Sequence, residues 1–125
     1  MTYKSTLHIL IAEAQAIIAI DLEQSLRDAG YESIDVATSC AEAEAALARQ
    51  MPDIAVLDVD LLDGVCVRLA TALRERAVPF IVFSGRSDRS AVDPVFSHGK
   101  WLAKPATADV VVAAMDAILP DRGVT

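Results

Sequence analysis

Four polar side chains in the sequence each come directly after a short apolar run. They are Glu13 after "HILIA", Asp58 after "IAVL", Ser84 after "FIVF" and Lys104 after "WLA". A carboxylate at the end of a buried segment is costly unless a cation or a hydrogen-bond donor pairs with it. A lysine and a hydroxyl are suitable partners, and two facing carboxylates attract a hard divalent cation such as Mg²⁺. Such a set could perform phosphoryl chemistry, with a carboxylate as nucleophile and the cations and donors stabilising charge on the transferred oxygens.

The apolar runs that precede these side chains are short and rich in β-branched or aromatic residues, which is typical of buried strands. Five strands are predicted, over Leu7–Ala12, Ile34–Ala37, Ile54–Leu57, Phe80–Phe83 and, more weakly, Lys100–Lys104.

Helical patterns separate the strands. They cover Gln15–Ala29, Ser39–Arg49, Val65–Arg76 and Thr107–Leu119. The first, third and fourth patterns each place apolar residues on one helix face. These faces are Ile18, Leu22 and Leu26; Val65, Leu69 and Leu73; and Val111, Met115 and Ile118. The second pattern opens with a capping box, Ser39-x-x-Glu42. The polar segment Ser87–Gly99 contains Pro94 and predicts a short or broken helix.

Strands that alternate with helices predict a parallel sheet covered by helices on both faces, a three-layer α/β/α arrangement. In such sheets ligands bind beyond the carboxyl ends of the strands, near the point where the strand order reverses. The four polar side chains are expected to meet at that edge.

Composition limits the class of protein. The chain has 125 residues, 54% of them hydrophobic, so one packed domain over 1–125 is expected, with a core over about 6–119 and short tails. A net charge of −7 argues against direct nucleic-acid binding. Apolar runs are too short for a membrane span and the N-terminus lacks a signal-peptide pattern, so a cytoplasmic protein is expected. Cys40 and Cys66 are then predicted to be separate reduced thiols.

Four separated motifs, "ILIAEAQ", "PDIAVLDVDLLDG", "VPFIVFSG" and "WLAKP", resemble in order the signatures of response-regulator receiver domains. The resemblance, to a stand-alone chemotaxis-type receiver, covers about residues 6–119. It implies a flavodoxin-like (βα)5 fold with a five-stranded parallel sheet. It also implies a protein that is not an enzyme beyond self-phosphorylation from small donors and self-dephosphorylation.

The resemblance assigns roles to individual residues. Asp58 would be the phosphoacceptor, Lys104 would contact the phosphoryl group, and Ser84 would be the switch hydroxyl. Trp101 stands in the place of the switch aromatic, and the bond before Pro105 would be cis. The ligands of Mg²⁺ would be Glu13, Asp58 and the backbone carbonyl of Asp60.

One position departs from the family pattern. The family has two adjacent acids after the first strand, and here the second place is Ala14. The expected consequence is a weak Mg²⁺ site and slow phosphorylation.

Three functional interpretations follow. The first is a receiver that accepts a phosphoryl group from a histidine kinase or histidine phosphotransferase and signals through an unknown output protein in trans. The second is a degenerate receiver that binds partners without phosphorylation. The third is a phosphatase of the haloacid-dehalogenase type, because Asp58-x-Asp60 resembles its first motif. The apolar first and last helices would supply partner docking and a homodimer contact, respectively, or simply pack on the sheet.

Overall fold

Five parallel strands form the centre of the structure, a computed structural model that describes residues 3–119. They run in the order β2-β1-β3-β6-β7, and a separate two-stranded hairpin is made of β4 and β5. The bounds are β1 His8–Ala12, β2 Ser33–Ala37, β3 Ile54–Leu57, β4 Asp60–Leu61, β5 Gly64–Val65, β6 Phe80–Ser84 and β7 Lys100–Ala103. All neighbouring strands of the large sheet pair in parallel. The predicted fold class, an α/β flavodoxin-like sheet, is confirmed.

Within the described residues, two α-helices cover each face of the sheet. They are α1 Ala16–Asp28, α2 Cys40–Arg49, α3 Val67–Glu75 and α4 Ala108–Ile118. The side chains of α1 and α4 share one core cluster with alternate residues of the strands, and those of α2 and α3 share the other. The central strands β1, β3 and β6 are buried along their whole length, which explains their near-continuous apolar sequences. None of the helices in residues 3–119 is long and apolar enough to cross a membrane.

The predicted capping box at α2 is formed in part. Ser39 is the N-cap and its hydroxyl accepts a hydrogen bond from the backbone N–H of Glu42. The Glu42 carboxylate accepts from Thr38, one residue before the cap, at 2.7 Å. One unpaired donor of the first turn and the N–H just before the cap are therefore satisfied.

The third helix begins later than its apolar pattern predicts. Val65 belongs to the hairpin and is 46% exposed, so its predicted place on a buried helix face is wrong. The backbone turns at Gly64, whose φ of 120° suits glycine, before the helix can start. The buried face of α3 consists of Leu69, Ala70 and Leu73.

The fourth connection contains no α-helix, which corrects the five helices implied by a (βα)5 fold. Two 3₁₀ helices, Arg89–Ala91 and Pro94–His98, take its place within the described chain. Each starts at an aspartate whose carboxylate accepts a backbone N–H two residues on, Asp88 from Ser90 and Asp93 from Val95. Such local bonds compete with a continuous helix, so the prediction of a broken helix is confirmed.

The two cysteines are joined, so their prediction as separate reduced thiols is wrong. Cys40 and Cys66 form a disulfide with their Cα atoms 5.5 Å apart. Cys40 is the first residue of α2 and Cys66 is the N-cap of α3. Because α2 and α3 pack on the same face of the sheet, their starts lie side by side despite a separation of 26 residues. The short tail expected after Leu119 lies outside the described residues.

Candidate functional site

The strand ends bring the four polar residues to one edge of the sheet. Ala12 of β1 pairs with Leu57 of β3, so Glu13 and Asp58 follow at equivalent places on neighbouring strands. Ser84 pairs with Ala103, and the N–H of Lys104 donates to the Ser84 carbonyl at 2.9 Å. The connections of β1 and β3 lead to opposite faces of the sheet, which is where ligands bind in this architecture.

Lys104 connects the two carboxylates. Its Nζ lies 2.7 Å from an oxygen of Glu13 and 2.9 Å from an oxygen of Asp58. The Glu13 side chain is 2% exposed, that of Asp58 is 9% exposed and that of Lys104 is 14% exposed. Two carboxylates and one ammonium group in a buried site leave a net negative charge when both acids are ionised. This charge favours the binding of a further cation.

The protonation equilibria of this group are shifted by burial and by the ion pairs. Burial raises the pKa of the Glu13 carboxyl, and the negative charge of Asp58 acts in the same direction. Burial opposes the charged form of Lys104, but its hydrogen bonds to Glu13 and Asp58 raise the pKa of the ammonium above its ordinary value. Lys104 is therefore charged at neutral pH.

The donor set fits Mg²⁺, with one acid fewer than the family pattern. Glu13 and Asp58 each use a second oxygen to accept a backbone N–H, from Gln15 at 2.9 Å and from Asp60 at 3.1 Å. Asp58, Asp60, Lys104 and Ala14 help to line a cavity of about 270 Å³, whereas Glu13 lies behind Lys104 and does not line it. Carboxylate and carbonyl oxygens are the ligands that Mg²⁺ prefers, and the methyl group of Ala14 supplies none.

Ser84 and Trp101 lie on the same face of the sheet. Ser84 is fully buried and its hydroxyl accepts the Arg86 N–H at 3.1 Å, while the hydroxyl can still donate its own proton. Ser84 pairs with Ala103, and Trp101 is two residues earlier on the same strand, so both side chains point to the α2–α3 face. Trp101 is partly buried, with the Arg89 guanidinium 5.0 Å from its ring centre. The Lys104–Pro105 peptide bond is cis.

Arg86 also belongs to this site, although it was not predicted from the sequence. Its guanidinium donates two hydrogen bonds to the Asp60 carboxylate, at 2.8 and 2.6 Å, and both residues line the cavity beside Asp58. The hydrogen bonds from Arg86 lower the pKa of Asp60. The Asp60 side chain therefore stays charged at the rim of the site, 52% exposed. The sequence feature that could have indicated Arg86 is its position two residues after Ser84, just beyond the end of β6.

Removing Arg86 should strengthen Mg²⁺ binding. In Arg86→Ala the positive charge at the cavity is lost and the Asp60 carboxylate is released. Arg86 is partly exposed, so solvent screens its charge, and affinity should rise by only up to about fivefold. Calorimetric titration with Mg²⁺ measures this. Arg68→Ala, which removes an arginine paired with Glu44 away from the cavity, is the matched control. Unchanged or weaker binding in Arg86→Ala would contradict the assignment.

This fold, with a buried acid pair joined by a lysine at the carboxyl ends of its strands, defines a receiver domain. The family model described as "Response regulator receiver domain" matches residues 9–116, so the chain belongs to this family. PrrA, a transcriptional regulatory protein of Mycobacterium tuberculosis, is 32% identical over 121 residues, which is 94% of this chain and 52% of PrrA. PdtaR of the same species, also a transcriptional regulatory protein, is 30% identical over 112 residues, 86% of this chain and 54% of PdtaR.

Solved structures agree with this assignment. The solution structure of SdrG from Sphingomonas melonis superposes with a TM-score of 0.75 at 35% identity, covering 91% of this chain and 97% of SdrG.

The chain spans about half the length of the curated relatives it matches. Receiver domains are signalling modules of two-component systems, and they bind Mg²⁺ at the phosphorylation site.

Proposed function

We propose that this receiver accepts a phosphoryl group on Asp58 from a histidine kinase or a histidine phosphotransferase, and that it signals through an output protein in trans from the cytoplasm. The observation that carries the proposal is the position of Lys104, whose ammonium touches both buried carboxylates. A lysine held there can follow a phosphoryl group on Asp58 by moving one contact from a carboxylate oxygen to a phosphoryl oxygen.

The proposed transfer uses groups already in place. An Asp58 oxygen attacks phosphorus, the bond from phosphorus to the donor imidazole nitrogen breaks, and the imidazole keeps the electron pair and takes up a proton. Lys104 and the Ser84 hydroxyl donate to the transferred oxygens, and burial strengthens both interactions. Mg²⁺, when bound, supplies further neutralisation of the phosphoryl charge.

Incubation with Mg²⁺ and a small phosphodonor tests the proposal. Phosphoramidate is suitable because its phosphorus–nitrogen bond resembles that of phosphohistidine. Intact mass spectrometry should show one added phosphoryl group per chain. If no mass is gained at any Mg²⁺ concentration, the degenerate receiver that binds partners without phosphorylation replaces this proposal.

The phosphatase alternative is not supported by the position of Asp60. A haloacid-dehalogenase mechanism needs the second acid of Asp58-x-Asp60 to face the reacting group and transfer a proton. Here that carboxylate is bound to Arg86, which holds it ionised.

Restoring the second acid should strengthen the metal site. In Ala14→Asp a third carboxylate enters the cavity that Ala14 lines. We expect Mg²⁺ affinity to rise about tenfold or more, each tenfold corresponding to ~1.4 kcal/mol. Calorimetry compares the variant with the wild type, and Ala14→Asn is the control for side-chain size. If Ala14→Asp changes neither affinity nor phosphorylation rate, the missing acid does not limit this site.

Phosphorylation should change the emission of Trp101, the one tryptophan of the chain. A Ser84 hydroxyl drawn towards the phosphoryl group leaves space on the α2–α3 face, which the aromatic ring can enter, moving away from Arg89. Beryllofluoride, a phosphoryl analogue, should shift the emission of the wild type. Ser84→Ala should bind the analogue with a smaller shift. If the emission of the wild type is the same with and without the analogue, while calorimetry shows that the analogue binds, the result would argue against this coupling.

Two surfaces fit the proposed partners. On α1, Ile17 and Ile20 are 83% and 66% exposed, more apolar surface than the helix needs for packing. We assign this face to docking of the kinase or phosphotransferase. On α4, Val110 is 47% exposed, and this helix is the proposed site of self-association or output.

A further inference from the structure

The Cys40–Cys66 disulfide lies at the base of the hairpin that follows Asp58. Cys66 comes directly after β5, and it is 3% exposed. Cys40 is partly exposed at the start of α2. The bond therefore fixes the end of the hairpin to a neighbouring helix.

Hydrogen bonds hold the same hairpin to the start of α2 and to the residue Thr38 that precedes its N-cap. The N–H of Leu62 donates to the Thr38 carbonyl at 3.0 Å. The Asp63 carboxylate accepts the N–H of Cys40 at 2.6 Å and that of Ala41 at 3.2 Å. The disulfide is the one covalent link among these contacts.

The hairpin is also part of the acidic site. The N–H of Asp60, the first residue of β4, donates to an Asp58 oxygen at 3.1 Å. The carbonyl of Asp60 is a proposed metal ligand, and its side chain binds Arg86. A change in the mobility of the hairpin therefore affects the Asp60 N–H, which is hydrogen-bonded to Asp58.

We propose that Cys40 and Cys66 form a reversible thiol–disulfide site that controls the mobility of the hairpin and, through Asp60, the rate at which Asp58 is phosphorylated. The second part rests on the proposed function. Disulfides that form in a reducing compartment are mostly transient and redox-sensing. A cytoplasmic receiver would then respond to the thiol pool as well as to its kinase.

The chemistry is thiol–disulfide exchange with a glutathione-class thiol. Its thiolate attacks the Cys40 sulfur, because Cys66 is buried. The sulfur–sulfur bond breaks, and Cys66 leaves as a thiolate that takes up a proton. A second thiol attacks the mixed disulfide, which releases Cys40 as a thiol and gives the oxidised reductant. Two electrons and two protons are gained by the protein, and the reverse reaction uses oxidised glutathione.

The first experiment tests reversibility. The protein is equilibrated in glutathione buffers from fully reduced to fully oxidised, its free thiols are alkylated, and the intact mass is measured. We expect zero added alkyl groups at the oxidised end and two at the reduced end, appearing together. Two alkyl groups in every buffer, or none in any, would overturn the proposal.

The second experiment tests the coupling with hydrogen exchange, which does not depend on phosphorylation. Amides of residues 60–65 should exchange at least about fivefold faster in the reduced protein, the lower end of typical coupling between sites. Exchange in α4, which packs on the other face, should not change. Equal exchange of residues 60–65 in both forms would overturn the control of the hairpin, whatever the phosphorylation result.

The third experiment measures phosphorylation from phosphoramidate in both forms. We expect the reduced protein to react at least about fivefold more slowly, because the Asp60 N–H is less firmly placed. The double variant Cys40→Ser/Cys66→Ser should react at the reduced rate with or without reductant. Equal rates in the two wild-type forms would overturn the regulatory part. If neither form gains a phosphoryl group, the proposed function fails and so does that part, while the first two experiments still decide on the redox site.

Discussion

Asp58→Asn should abolish phosphoryl uptake, from one group per chain to none. The amide oxygen is a poor nucleophile, yet the side chain has nearly the same shape, and its single oxygen can keep the hydrogen bond from Lys104 while the bond from the Asp60 N–H is lost. The variant should therefore remain folded, since Lys104 keeps Glu13 as its charged partner. Intact mass after incubation with Mg²⁺ and phosphoramidate measures the loss.

Two neighbouring acids provide the controls for this prediction. Asp60→Asn removes a carboxylate that binds Arg86, and Asp63→Asn removes one that caps α2. Both variants should still gain one phosphoryl group, at altered rates. A modification that persists in Asp58→Asn and maps to another residue would show that the nucleophile lies elsewhere.

Lys104→Ala should lower the free energy of unfolding by about 3 kcal/mol without Mg²⁺, because removing one partner of a buried ion pair leaves an uncompensated charge. Here two carboxylates, Glu13 and Asp58, would lose their shared cation. Native domains have ~5–15 kcal/mol of stability, so the variant should fold. Mg²⁺ should restore more stability to it than to the wild type, because a bound cation would supply part of the positive charge that the acids have lost.

Urea unfolding followed by Trp101 emission, with and without Mg²⁺, measures this effect. Lys100→Ala removes an exposed lysine at the start of β7, the strand that Lys104 follows, and should change stability little. Phosphorylation of the Lys104→Ala variant should be slow even where Mg²⁺ has restored the fold. A variant that stays unfolded at high Mg²⁺ would show that Lys104 is a structural residue.

The sequence predicted the elements whose signals are local. Each buried strand is a short apolar run between polar residues, and the polar residue after each run fixes which side chains meet at the edge. That was enough to place Glu13, Asp58, Ser84 and Lys104 together. The assigned roles of these residues remain predictions.

Features that depend on the path of the chain in three dimensions could not be read from the pattern. Val65 has helical spacing with Leu69 and Leu73, yet Gly64 turns the chain and places it in a hairpin. Cys40 and Cys66 are joined because two helices begin side by side, which no local spacing indicates. Arg86 carried a local signal, its distance from Ser84, but its partner Asp60 lies on another connection.

The two 3₁₀ helices between β6 and β7 have a mechanical consequence. A continuous α-helix is stiff along its length, whereas two separate 3₁₀ helices, each capped by its own aspartate, would hinge at the residues between them. A displacement that starts at Ser84 would be absorbed at that joint before it travelled along the chain to Trp101. The stiffer route is across the sheet, where Val82 of β6 pairs directly with Trp101 of β7. In this protein a change at the acidic site would therefore reach the Trp101 ring through the paired backbones of β6 and β7, and not through the connection between these strands.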